Sequence, residues 1–218
     1  MAPRSYRLGK RQSAIDRARS RVITAAVEEL QGGRSIAGFT IDAVAARADV
    51  ARQTVYHHFG SKQGLIEAMF DSIADDSGLV SGISEVFSEK EPERALSMHV
   101  EVFCRFWSSH RRLFHKMAAM VVLDEDISKC LRERHKRRKL AALEIAKRIH
   151  AARSLHRFRT ESHLAETIWA LTGFETFNDL FEQVSDGSQG GVGEVEAELL
   201  TLSAMKEIVS AAVGLDLD

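Results

Sequence analysis

The chain has 218 residues, 44% of them hydrophobic and 28% charged, enough apolar material to bury a sizeable core in one large domain or two modest ones. With two prolines, no apolar leader and no run of about 20 apolar residues, it lacks the marks of a β-rich fold, a signal peptide or a membrane-spanning helix, so a cytoplasmic, nearly all-helical protein is expected. The net charge of −1 conceals an asymmetry: residues 1–62 carry eleven Lys and Arg against five acids, a balance of +6 that leaves −7 on the remainder, as a polyanion-binding head on a separate body would.

In chain order, residues 1–12 (MAPRSYRLGKRQ) are basic without an apolar period and read as a mobile arm, whose Arg4, Arg7, Lys10 and Arg11 either reach a minor groove or stay solvated. From Ser13, Ile15, Ala18, Val22, Ala26 and Leu30 recur at spacings of three and four, one face of a helix, until QGGRSIAG stops it with Gly32 or Gly33 suited to a left-handed cap. Thr40 is the N-cap of a second helix, with Asp42 in its first turn and Ile41, Val44, Ala45 and Ala48 on its buried side. Asp49 tolerates positive φ and predicts a tight turn. A short helix with Val55 and Phe59 inward comes next, and Ser61 caps a fourth carrying Leu65, Ile66, Met69, Phe70 and Ile73.

Residues 75–91 are rich in Ser, Gly and acids and read as a junction, after which Pro92 restarts a helix. Apolar residues continue through Leu96, Val100, Phe103, Phe106 and Trp107, and a Met-rich helix with Met117 and Met120 follows. A long helix is expected from about Asp124 to Leu155; its basic run RERHKRRK (132–139) reads as a solvated face, with extra DNA contact as the alternative. A last pair spans roughly 160–184 and 194–214. The expectation is an all-α fold of about nine helices, divided into the arm (1–12), a three-helix DNA-binding head (13–60), a connecting helix (61–75) and a C-terminal body (76–218).

Two short helices joined by a tight turn, with small residues (Ala45, Ala48) at their crossing, make a helix-turn-helix. The second exposes Arg52, Gln53, Thr54, Tyr56 and His57, a set suited to a major groove: Arg reads guanine, Gln reads adenine, and Thr offers a hydroxyl and a methyl. A polar helical hairpin facing only solvent is the competing reading. The adjacent His57 and His58 lie about 100° apart on a helix and cannot share a metal as an i, i+4 pair can.

The stretch FTIDAVAARADVARQTVYHHFGSKQGLIEAMF, Phe39 to Phe70, resembles the DNA-binding region of the TetR family of transcriptional regulators, and the likeness extends back through the first helix. The resemblance implies that Thr40 contacts a phosphate, that Arg52, Gln53 and Thr54 face base edges, and that Tyr56, His57, His58 and Lys62 reach phosphates, with Phe59 as the core anchor of the reading helix. It also implies a homodimer on a palindromic operator, repression, and release by a small, largely apolar ligand; a regulator controlled by a protein partner or by abundance is the alternative. Many relatives carry Gly where Asp49 stands and a hydroxyl residue where Ala51 stands. Without that hydroxyl the third helix loses a cap worth roughly 1 kcal/mol, for which Asp49 is the candidate replacement.

In the body, Met98, Phe103, Trp107, Met117, Met120, Trp169, Phe174 and Phe177 are the candidate pocket, since flexible Met beside aromatics suits an apolar ligand; plain core is the competing reading. His99, His110 and His115 are available to orient such a ligand. Leu164, Ile168, Leu171, Phe174, Phe177, Phe181 and Val184, and then Leu199, Leu202, Ile208, Val209 and Val213, cover more than one face of the last two helices, which predicts a dimeric four-helix bundle or burial within one subunit. Cys104 and Cys130 lie outside any metal or redox spacing and read as buried, inert thiols. No nucleophile, acid pair or metal-ligand spacing supports an enzyme, and no cofactor or metal is expected.

Overall fold

A computed structural model describes residues 4–32, 39–152, 160–187 and 193–217, with side chains from residue 13 onward. Within these residues the protein is all-α: eleven helices and no strand. They are α1 (Arg4–Gly32), α2 (Ile41–Arg47), α3 (Arg52–Phe59), α4 (Lys62–Asp76), α5 (Leu79–Ser88), α6 (Pro92–Ser109), α7 (Arg111–Met120), α8 (Glu125–Ala152), α9 (Glu161–Leu171), α10 (Phe174–Gly187) and α11 (Glu194–Val213). No helix among the described residues is long and apolar enough to cross a membrane.

The chain divides into two compact units, one of residues 1–73 with 115–131 and the other of 74–114 with 132–218. The core of the first is built from Val22, Ala26 and Leu30 of α1, Val44 of α2, Val55 of α3 and Leu65, Ile66 and Met69 of α4, all buried. Each of these Val, Leu, Ile and Met side chains contributes roughly 1.5–3 kcal/mol by leaving water. Met117, Met120 and Ile127 are buried in the segment that belongs with this unit. Arg47 of α2 pairs with Glu29 of α1 at 2.7 Å, and Lys116 donates to the Gln31 carbonyl at 2.7 Å.

The second unit buries Val86 of α5, Leu96 and Val100 of α6, Ile145 and Ile149 of α8, Leu164 and Ile168 of α9, Phe177 of α10 and Met205 and Val209 of α11. Cys104 and Cys130 are both buried thiols outside any disulfide, as read from the sequence, and burial pushes the Cys104 thiol up to about 12, which keeps it protonated.

Three local expectations change. The first helix begins at Arg4, so most of the segment read as an arm has helical backbone continuous with α1. Extending an existing helix fixes one residue per hydrogen bond gained, without a new nucleus. The arm's side chains and Gly33 lie outside the described residues. Within 75–91, read as a junction, Leu79, Val80, Ile83, Val86 and Phe87 recur at helical spacing and form α5. Finally, the segment 160–184 is two helices. Its break is stabilised at Thr172–Gly173, where the Trp107 indole N–H donates to the Thr172 carbonyl at 3.0 Å and a Cβ on Gly173 would lie 3.1 Å from the Ala170 carbonyl oxygen.

Candidate nucleic-acid interface

Local chemistry positions the reading helix. Thr40, with extended backbone, caps α2 by accepting from the Ala43 N–H at 3.1 Å. The chain then turns at Asp49, whose φ of 52° makes it the one described non-glycine residue in the left-handed region. The turn is closed by the Val50 N–H on the Ala45 carbonyl at 3.1 Å. At the far end, Gly60 (φ 73°) ends α3, and the Ser61 hydroxyl accepts from the Gly64 N–H at 3.0 Å to start α4.

Helix α3 buries Val55 and exposes Arg52, Gln53, Tyr56 and His57, while Thr54, His58 and Phe59 are half-buried. Ala51 gives its N-cap no side-chain hydrogen bond. Asp49 serves the turn instead, through its backbone conformation. The Phe59 ring is covered on one side by the Arg19 guanidinium, 5.4 Å from its centroid.

Two basic residues of this surface already have acidic partners. Arg52 Nη1 holds both oxygens of Asp42, at 2.9 and 2.7 Å, and Nη2 donates to the Tyr56 hydroxyl at 3.3 Å. The hydrogen bond to Tyr56 and the Asp42 carboxylate hold the Arg52 pKa above its ordinary value. Lys62 Nζ lies 2.5 Å from an Asp124 carboxylate oxygen, the pair mostly shielded from solvent, and 5.4 Å from the Phe39 ring centroid. The other Asp124 oxygen accepts from the N–H groups of Asp126 and Ile127, capping α8. Neither carboxylate was singled out in the sequence. Asp42 stood there only as a favourable first-turn charge, and Asp124 is 62 residues from its partner.

The body residues divide less simply. Phe103, Trp107, Phe174 and Phe177 are buried and share a chain of ring contacts, with centroids 5.8, 5.7 and 6.5 Å apart in sequence order. Met98 and Trp169 are half-buried. Met117 and Met120 are buried in the other unit. Of the expected interface residues, Leu164, Ile168, Phe181, Val209 and Val213 are buried within the chain and Leu171 and Leu202 half-buried, whereas Leu199 and Ile208 are exposed. Val195 and Leu200 of the same helix are exposed as well.

The basic run 132–139 is not uniformly solvated, because Arg138 is buried, at 8% exposure. Its phase could have been read from the sequence: Ile145 lies seven residues on and Ala142 four, on the buried stripe of α8. Among the described residues, no three or more His, Cys, Asp or Glu gather as a metal site.

Residues 23–69 match the family described as bacterial regulatory proteins, tetR family. The HTH-type transcriptional regulator EthR of Mycolicibacterium smegmatis is 28% identical over 94 residues, 42% of this chain and 42% of that protein. The match thus spans less than half the length of that relative. A TetR transcription regulator from Haloarcula marismortui superposes with a TM-score of 0.62 at 13% identity, over 91% of this chain and 97% of that one. A TetR-like transcriptional regulator from Rhodococcus sp. does so at 0.53 and 19%, over 88% and 96%. At such identities the structural likeness speaks for the fold.

Proposed function

We propose that this chain, whose residues 23–69 match the tetR family of bacterial regulatory proteins, is a TetR-family regulator that represses transcription by binding a palindromic operator as a homodimer, and that a small, largely apolar ligand in the C-terminal unit releases it. The observation that carries the DNA-binding part is α3 itself: a short helix after a tight turn, anchored by buried Val55, with Arg52, Gln53, Tyr56 and His57 in a solvent-facing row. Arg52, Gln53 and Thr54 read base edges, while Thr40, Tyr56, His57, His58 and Lys62 hold phosphates. For Arg52 and Lys62 the duplex competes with Asp42 and Asp124, and the exposed Arg52 pair yields more easily.

The dimer reading is supported by α11, which leaves Val195, Leu199, Leu200 and Ile208 in water. A second copy of this helix, related by a two-fold axis, would cover them and set two heads about 34–36 Å apart for successive major grooves. A gel shift with DNA flanking the protein's own gene tests the reading. Gln53→Ala should relax base preference at one position per half-site, whereas Tyr56→Phe should weaken binding to all sequences alike. Unchanged base preference in Gln53→Ala would refute the assignment of α3 as the reading helix. If small apolar compounds never disturb the shift, control by a partner or by abundance takes the place of ligand release.

A further inference from the structure

Within the second unit, two buried side chains from α6 and α8 and a half-buried one from α9 converge with their hydrogen-bonding capacity partly unused. His99 of α6 is fully buried and neither ring nitrogen has a partner. Arg138 of α8 is sandwiched between two rings, its Cζ 5.8 Å from the Phe103 centroid and 4.9 Å from that of Trp169. Its Nη1 donates to the Trp169 carbonyl at 2.6 Å and the Thr172 hydroxyl at 3.3 Å, but Nε is buried without a partner. The indole N–H of Trp169 is likewise buried and unpartnered. His99 stacks edge-on against Phe103 at 4.7 Å, which closes the circle.

A charged guanidinium is costly to bury unless a counter-charge meets it. Here no carboxylate of the described residues pairs with Arg138, and the exposed Glu175 acts on it only at longer range. Burial lowers the Arg138 pKa to about 10, so it remains a cation at neutral pH. Capping the end of α9 uses Nη1 and leaves Nε unpartnered, while the Glu175 carboxylate offsets part of the charge from longer range. The unused groups on Arg138 and Trp169 can only donate. Their complement is therefore a group rich in acceptors and carrying negative charge, while the walls are aromatic. Trp169, half-buried, stands at the rim, with Lys139 Nζ 4.4 Å from its ring centroid.

We propose that the second unit holds an effector site for a small organic acid, whose carboxylate is received by Arg138 and the Trp169 N–H and whose apolar part lies against Phe103 and Trp107, with His99 as a neutral orienting partner. This deepens the ligand-release reading and rests on it only for the consequence at DNA, not for the binding itself. It specifies the small, largely apolar effector as an amphipathic anion.

The chain has two tryptophans, Trp107 and Trp169, and both border the site, so intrinsic fluorescence of the full chain reports on it. Octanoate and phenylacetate are titrated beside octanamide and phenylacetamide. At least one acid is expected to give a saturable change at millimolar concentration or below, its amide binding at least about tenfold more weakly. Arg138→Met should abolish the response. Trp169→Phe, read by calorimetry, should weaken acid binding about fivefold and serves as the variant if Arg138→Met does not fold. The proposal is overturned if neither acid saturates, if acid and amide bind alike, or if the variants bind the acid as the parent does. A gel shift in parallel separates the two readings. Acid that binds without loosening DNA leaves the site standing and refutes release by it. Neutral compounds that loosen DNA while no acid binds do the reverse.

Discussion

Two arginines divide this protein between them. Arg52, in the head, projects into solvent and has both oxygens of Asp42 within hydrogen-bond distance; Arg138, in the body, is buried among aromatic rings without a carboxylate. The first can exchange its partner for a nucleic acid cheaply, because an exposed ion pair has little net stability to lose. The second is a desolvated charge held by dipoles and π faces. The head presents donors to a partner that brings its own charge in water. The body holds buried donors, Arg138 Nε and the Trp169 indole N–H, from which no group among the described residues accepts.

The largest test of this contrast is pH. Burial, with Arg138 facing it as well, drives the His99 pKa from 6.5 to about 3. Between those values the unfolded chain holds a proton that the folded chain does not. Stability therefore falls as pH drops below about 6.5, by up to about 1.4 kcal/mol per unit. Urea midpoints at neutral pH and near pH 5 should show this slope, and His99→Phe should reduce it to what His110 and His135, also lowered by burial, contribute; an equal slope in both would show that His99 is not held neutral by burial. Next in size, Arg52→Ala should lower affinity for the operator by about ten- to a hundredfold while leaving the thermal midpoint nearly unchanged. A large fall in that midpoint would make Arg52 a structural residue.

Asp42→Asn sharpens the comparison from the other side. Released from its partner, Arg52 should raise DNA affinity about threefold at low salt, a gain that vanishes as salt screens it; a loss of affinity would mean that Asp42 orients Arg52 rather than competing for it. Ala51→Ser supplies the missing hydroxyl and should stabilise the chain by about 0.5–1 kcal/mol in urea. The smallest effect is expected of Asp49→Gly, about 0.5 kcal/mol of added stability, because glycine takes φ 52° without strain but costs more to order.

The head was largely legible in advance. The Thr40 cap, the left-handed turn at Asp49, the uncapped Ala51 and the Ser61 start of α4 all appear where the residue types placed them. Each depends on neighbours three or four positions away, so composition and spacing carry the information. The ring contacts of Phe103, Trp107 and Phe174 also join residues chosen as a group, although plain core and pocket wall look alike from sequence. Helix α5 is disguised in the sequence, because its Ser, Gly and acidic residues outweigh an apolar period at helical spacing.

The sequence by itself determined the all-helical fold, the helix-turn-helix and the polar row along α3, since those follow from local periodicity and local caps. Only the tertiary structure decided that Lys62 meets Asp124, and that His99 and the Trp169 indole N–H come together around Arg138 without hydrogen-bond partners. These residues lie tens of positions apart along the chain, and no helical period relates them. Their charges become informative only when packing removes the water around them, which turns an ordinary arginine in a basic run into a site with an unmet need for an anion.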